Sequence, residues 1–254
     1  MTISHGLVAV ALCVLCPQLS LESAKRQSPI VNQSSIGNHS EVANQSAIRN
    51  PQSAMPLWIS LFDGTSLKAW RGYKSNTVPA GWRVADGALV KEGSVGDIMT
   101  NDEFGDFELE LEWKIGEAGN SGVFYRGTEE YDHIYWSAPE YQLLDDEKAS
   151  DNKTRLTCAG AAYAVYPSPP GHLKPVGQWN ATRIVARGAH IEHWLNGVKL
   201  VDYELGSPDW AARVKSSKFG AWPNYGRAKS GHIALQGDHA GSLGFRNIRI
   251  REVH

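Results

Sequence analysis

Residues 107–115 read Phe107-Glu-Leu-Glu-Leu-Glu-Trp-Lys-Ile115. Phe107, Leu109, Leu111, Trp113 and Ile115 alternate strictly with Glu108, Glu110, Glu112 and Lys114. A period of two sends successive side chains to opposite faces, so this stretch predicts a β-strand with one apolar and one wet face. The acidic row is expected on a solvated outer face, not in a catalytic centre.

The same grammar continues on both sides. Thr182–Glu204 (TRIVARGAHIEHWLNGVKLVDYE) holds two alternating runs around Asn196-Gly197, a pair suited to the positive φ values of a type I′ hairpin turn. Arg187-Gly188 marks the turn before it. His190 and His193 are three apart and so face opposite ways on a strand. That argues against a shared metal and predicts surface or edge positions for them. Further strands are expected within 81–92, 122–127, 140–145, 232–237 and 244–253. No stretch sustains a 3.6-residue period, and one short helical turn is expected around Pro208–Val214. Many short strands with Gly-rich turns predict an all-β fold, an antiparallel sandwich or jelly roll.

The bulk composition narrows the function classes. The chain has 254 residues, 42% of them hydrophobic, which is enough for a real core. Its net charge of −2 lacks the basic excess of a nucleic-acid binder. Gly6–Cys16 (GLVAVALCVLC) is an apolar run of signal-peptide length, shorter than the roughly 20 residues a membrane span needs. Residues 1–24 are therefore expected to direct secretion or periplasmic export. Of Cys13, Cys16 and Cys158, only Cys158 would survive cleavage, which leaves no intramolecular disulfide. Residues 25–55, rich in Asn, Gln and Ser, read as a disordered spacer. The folded domain is expected over 56–254.

No nucleotide-binding loop, HExxH, GxSxG or paired CxxC is present. Two local clusters carry the chemistry instead. In Gly119–Asp146, Glu140 and Gln142 are two apart on a strand and share a face, with Leu143 toward the core. A carboxylate beside an amide offers the acceptors and donors that sugar hydroxyls need, although such a pair can also fix strand register. Near the C-terminus, Ile233 and Leu235 read as core and Gln236 as the strand end. Gly237-Asp238-His239-Ala240-Gly241 follows as a polar turn. A His beside an Asp suits a general base.

LFDGTSLKAW (61–70), GNSGVFYRG (119–127), EYQLLDD (140–146), KPVGQWNATRIVARG (174–188), HWLNGVKLVDYE (193–204) and HIALQGDHAGSLGFRNIRIRE (232–252) together resemble the 3-keto-disaccharide hydrolase family. The resemblance covers Trp58–Val253. It implies a concanavalin A-like jelly-roll sandwich, exported in bacteria, that cleaves glycosides already oxidised at C3. The ketone acidifies the C2 proton. A base removes it, the enolate expels the C1 substituent, and water then adds to the enone. Such a reaction needs a base and oxyanion donors, and no cofactor.

Mapped onto this chain, the resemblance implies His239 as base oriented by Asp238, with Arg126 stabilising the oxyanion. Gln142 and Gln236 would bind hydroxyls, Lys174 would approach the anion, and Tyr125 and Trp136 would stack on the sugar. Glu140 and Asp145 form an alternative base pair, or ligands for a divalent cation. A sugar oxidoreductase is implied upstream. The family pattern has a His where this chain has Lys148-Ala149-Ser150, and Leu-Tyr-Asp where it has Ala162-Tyr163-Ala164. A non-catalytic carbohydrate-binding module and a cell-surface interaction domain are the other readings the same fold allows.

Overall fold

The computed structural model describes residues 57–253. The signal-like run, the whole spacer and the first and last residues of the expected domain lie outside the described residues. In chain order the strands are β1 (Ile59–Phe62), β2 (Trp70–Gly72), β3 (Trp82–Ala85), β4 (Ala88–Lys91), β5 (Ile98–Thr100), β6 (Phe107–Ile115) and β7 (Asn120–Gly127). They continue with β8 (Glu140–Leu144), β9 (Asn180–Arg187), β10 (His190–Leu195), β11 (Val198–Glu204), β12 (His232–Leu235) and β13 (Leu243–Glu252). One helix, α1 (Pro208–Ser216), and 3₁₀ turns at Ile134–Trp136 and Lys218–Ala221 complete the described elements.

The strands form two antiparallel sheets, as the jelly-roll expectation requires. The larger runs β11-β10-β9-β6-β13-β4-β3, with β1 also paired to β13. The smaller runs β2-β5-β12-β7-β8. Phe107, Leu109, Leu111, Trp113 and Ile115 of β6 are all buried between the sheets. Their acidic neighbours form a cross-strand ladder with β13: Glu112 pairs with Arg246, Glu110 with Arg249 and Glu108 with Arg251. Glu108 also meets Arg183 and is buried beneath the two guanidinium groups, so this end of the outer face is covered by ion pairs rather than water.

Two details of the large sheet follow from sequence phase. In β13, Phe245, Ile248 and Ile250 all face the core, which strict alternation cannot deliver from 245 to 248. The pairing with β6 shifts between Arg246 and Arg249, and Asn247 takes φ 53°. This bulge inserts one residue and restores the phase. In β10, His193 contradicts the expected surface position. It shares a face with Ile191 and Leu195 and is fully buried. Its Nδ1 lies 3.1 Å from the Gly160 carbonyl, which can only accept, so Nδ1 carries the proton and Nε2 accepts from the Tyr125 hydroxyl at 2.9 Å. Burial pushes its pKa down to about 4, so it stays neutral near pH 7.

Helix α1 begins where Ser207 caps the Trp210 amide and Pro208 occupies the first turn. Only Trp210 of the helix is buried. Ser217 then caps the following 3₁₀ turn through Phe219. Among the described residues, no helix is long and apolar enough to cross a membrane.

Candidate active site

Strand parity on the small sheet builds the site. On β7, Val123 and Tyr125 point between the sheets, and Asn120 and Gly122 fall on the other face. On β8, Tyr141 and Leu143 join the core, which leaves Glu140 and Gln142 on that same outer face. On β12, Ile233 and Leu235 are core, and Gln236 follows on the outer side. The pairing sets Gly122 opposite Gln142. The result is a recess of about 160 Å³ whose floor is Asn120, Glu140, Gln142 and Gln236. Asp238 and His239 form one wall. Tyr135, Asp151, Tyr163 and Lys218 complete the lining.

Glu140 dominates the electrostatics. Its side chain is only 4% exposed. Burial pushes its pKa up to about 8; Asp238, Asp97 and Asp151 push the same way, and the Lys218 ammonium opposes them. The Gln142 amide settles with its nitrogen toward Glu140 Oε1 at 3.0 Å and the Ser121 carbonyl at 3.1 Å. With Oε1 accepting, Oε2 is the oxygen left to carry the proton. Gln236 Oε1 is buried on the same floor with no hydrogen-bond partner. An orphaned acceptor at the bottom of a recess suits a ligand hydroxyl.

The walls carry an imidazole, an ammonium and aromatic rings. His239 Nε2 lies 3.6 Å from Asp238 Oδ1, which is charge proximity rather than an orienting hydrogen bond. Lys218 sits over the Tyr163 ring at 4.3 Å and lies 5.7 Å from the centre of the Tyr135 ring. The Tyr163 hydroxyl donates to Asp151 Oδ2 at 2.8 Å.

Glu140, Gln142, Gln236, Asp238 and His239 therefore converge. Five other residues singled out from the sequence lie elsewhere. Arg126 is four residues past Gly122 on β7, about 13 Å along the strand. Its guanidinium is buried and its donors go to Gly105 O, Gly188 O and Asp106. Asp145 is a turn cap: its oxygens accept from the amides of Ala118, Glu147 and Lys148, which leaves no ligand set with Glu140. Tyr125 is enclosed in the core, its hydroxyl bonded to His193 and Tyr203. Trp136 stacks on Trp222 at 4.0 Å, and its neighbour Tyr135 faces the recess instead. Lys174 donates to the Trp179 carbonyl at 2.8 Å.

The residues that sequence reasoning passed over are Lys218, Tyr135, Asp151, Tyr163 and Asn120. Asn120 was within reach, because it shares the parity of Gly122. Lys218 carries no local signal; a 3₁₀ turn delivers it from 78 residues beyond Glu140 (218 minus 140).

Comparison with known proteins gives the family of the chain. Residues 57–251 match the family model described as 3-keto-alpha-glucoside-1,2-lyase-like domain. A 3-keto-disaccharide hydrolase of Bacteroides thetaiotaomicron is 32% identical over 226 residues, 76% of this chain and 78% of that protein. Two solved structures from Parabacteroides distasonis, described as candidate glycosyl hydrolases, are also similar. The first is 34% identical with a TM-score of 0.72, covering 78% of this chain and 94% of that one. The second is 31% identical with a TM-score of 0.64, covering 78% and 100%.

Proposed function

Because this chain belongs to the 3-keto-alpha-glucoside-1,2-lyase-like family, we propose that it cleaves glycosides oxidised at C3, in the recess floored by Glu140. The observation that carries the reading is a buried carboxyl whose pKa is pushed up to about 8, set between an ammonium and a buried acceptor without a partner. A carboxyl kept neutral at pH 7 can donate a proton or a hydrogen bond where negative charge develops.

The roles divide by position. His239, on the wall, takes the C2 proton. The electron pair forms the C2–C3 enolate, whose oxygen Lys218 stabilises. Collapse of the enolate breaks the C1–O bond, and Glu140 Oε2 protonates the departing oxygen. Glu140, now a carboxylate, then takes a proton from water as it adds to C1. His239 returns its proton to C2, and both groups are reset. Gln236 and Gln142 hold ring hydroxyls. The substrate requires prior oxidation by a sugar oxidoreductase, and the N-terminal apolar run suits a reaction outside the cytoplasm.

The test is incubation with a 3-keto-glucoside and with its unoxidised parent. Cleavage of only the keto form is the expected result. Binding of both with cleavage of neither would leave a carbohydrate-binding module, and cleavage of the parent alone would point to ordinary glycosidase chemistry.

A further inference from the structure

We infer that Lys91 is a positioning residue for the proposed base: it ties down the backbone of the loop that presents Asp238 and His239 to the recess. The kinetic part of the inference rests on the function proposed above; the structural part does not.

Lys91 ends β4, and its side chain is 1% exposed. A buried ammonium is costly unless it is paired and fully hydrogen-bonded. Yet no carboxylate forms an ion pair with it among the described residues. Its Nζ donates instead to two backbone carbonyls, Gly93 O at 2.9 Å and His239 O at 2.5 Å. Burial pushes its pKa down, and Asp238 and Asp97 lie near enough to oppose that. An ammonium has three donors on one atom, so it can hold two loops together where a neutral hydroxyl would hold one.

The rest of this segment does the same work. The carbonyls of three consecutive residues, Gly237, Asp238 and His239, accept from Val95 N at 2.9 Å, Ser94 Oγ at 2.6 Å and Lys91 Nζ. The Gly237 amide donates to Asp97 Oδ1 at 2.7 Å. Gly237 must be glycine for this approach: a Cβ there would lie 2.6 Å from Gly96 O and 2.8 Å from Val95 O. The backbone of 237–239 is thus spent on the 91–97 segment, and the side chains of Asp238 and His239 are left to face the recess. Among these anchors only Lys91 holds the residue that carries the base.

The experiment pairs hydrogen exchange with steady-state kinetics on Lys91→Met, which keeps the aliphatic stem, and Lys91→Arg. For Lys91→Met, exchange at 237–241 should accelerate at least tenfold while β6 and β7 stay protected. On a 3-keto-glucoside kcat should fall at least tenfold with KM within about twofold, because a displaced base costs rate rather than affinity. Lys91→Arg should recover part of both. Should Lys91→Met fail to fold, Ser94→Ala removes a neighbouring anchor at an exposed position and should show the same changes at smaller size. Unchanged exchange at 237–241 in folded Lys91→Met overturns the inference. A wild type that cleaves no keto sugar, with the loop loosened by Lys91→Met, overturns the proposed function and leaves the clamp standing.

Discussion

The carboxyl group of Glu140 fills the space that a side chain on Gly122 would take. A Cβ on Gly122 would lie 2.1 Å from Glu140 Oε1 and 2.8 Å from its Cγ. The two residues sit on neighbouring strands, two pairs apart in register and so on one face, with Phe124 opposite Glu140 and Gln142 opposite Gly122. Gly122 has no unusual φ, so its role is volume.

Gly122→Ala therefore tests the site without straining the strand. The methyl group must push Glu140 off the floor of the recess. We expect kcat/KM to fall by about 100-fold, as a misplacement near 1 Å does elsewhere, with only a small change in Tm. Wild-type kinetics in this variant would rule out Glu140 as the proton donor.

Glu140→Gln separates chemistry from stability. The proton donor is lost, so the rate should fall by roughly 10²–10⁴. In the wild type kcat should decline as pH rises through about 8, where Glu140 ionises. The sign for stability is also set. Glu140 keeps its proton up to about 8 when folded but releases it near 4.5 when unfolded. Stability is fully present below 4.5 and declines as pH rises toward 8, by on the order of 5 kcal/mol. Thermal melts of Glu140→Gln should lack that decline and exceed the wild type at pH 8.

Arg126→Met should behave in the opposite way. Its guanidinium joins three segments through Gly105 O, Gly188 O and Asp106 Oδ1. Removing it gives up three hydrogen bonds of a buried guanidinium to half-buried and exposed acceptors, and should cost on the order of 3 kcal/mol. Its kcat at a permissive temperature should match the wild type. A selective loss of kcat with unchanged Tm would return Arg126 to the catalytic group.

Ala164 holds φ 59°, a left-handed conformation costly for alanine. The family resemblance has Asp at this position, and Asp and Asn tolerate that region. Ala164 is not among the recess-lining residues, so this departure bears on backbone strain rather than chemistry. Ala164→Asn should raise stability by about 0.5–1 kcal/mol, a Tm gain of roughly 1–4 °C, with kinetics unchanged.

Short-range periodicity carried much of the fold. The alternation of Phe107–Ile115, the Asn196-Gly197 turn and the shared face of Glu140 and Gln142 all depend on neighbours in the chain. The same rule contained the answer for His193, since Ile191 and Leu195 share its parity and both are core. Parity says which side chains go together; only the covering sheet says which group is enclosed. Parity also carried Arg126 onto the strand of the site, although its spacing of four residues from Gly122 sets it about 13 Å farther along.

The β-sandwich, its family and half of the recess were legible in the chain, because each rests on residues within one strand or one ordered motif. The packing of distant segments decides which cation lines that recess. Lys218, and not Arg126 or Lys174, reaches Glu140, because a capped 3₁₀ turn after α1 lies against the outer face of the small sheet. It also decided that Lys91 would be buried beneath the His239 loop. Charge acts through space over a few ångströms, and the chain alone does not state which distant segments approach that closely.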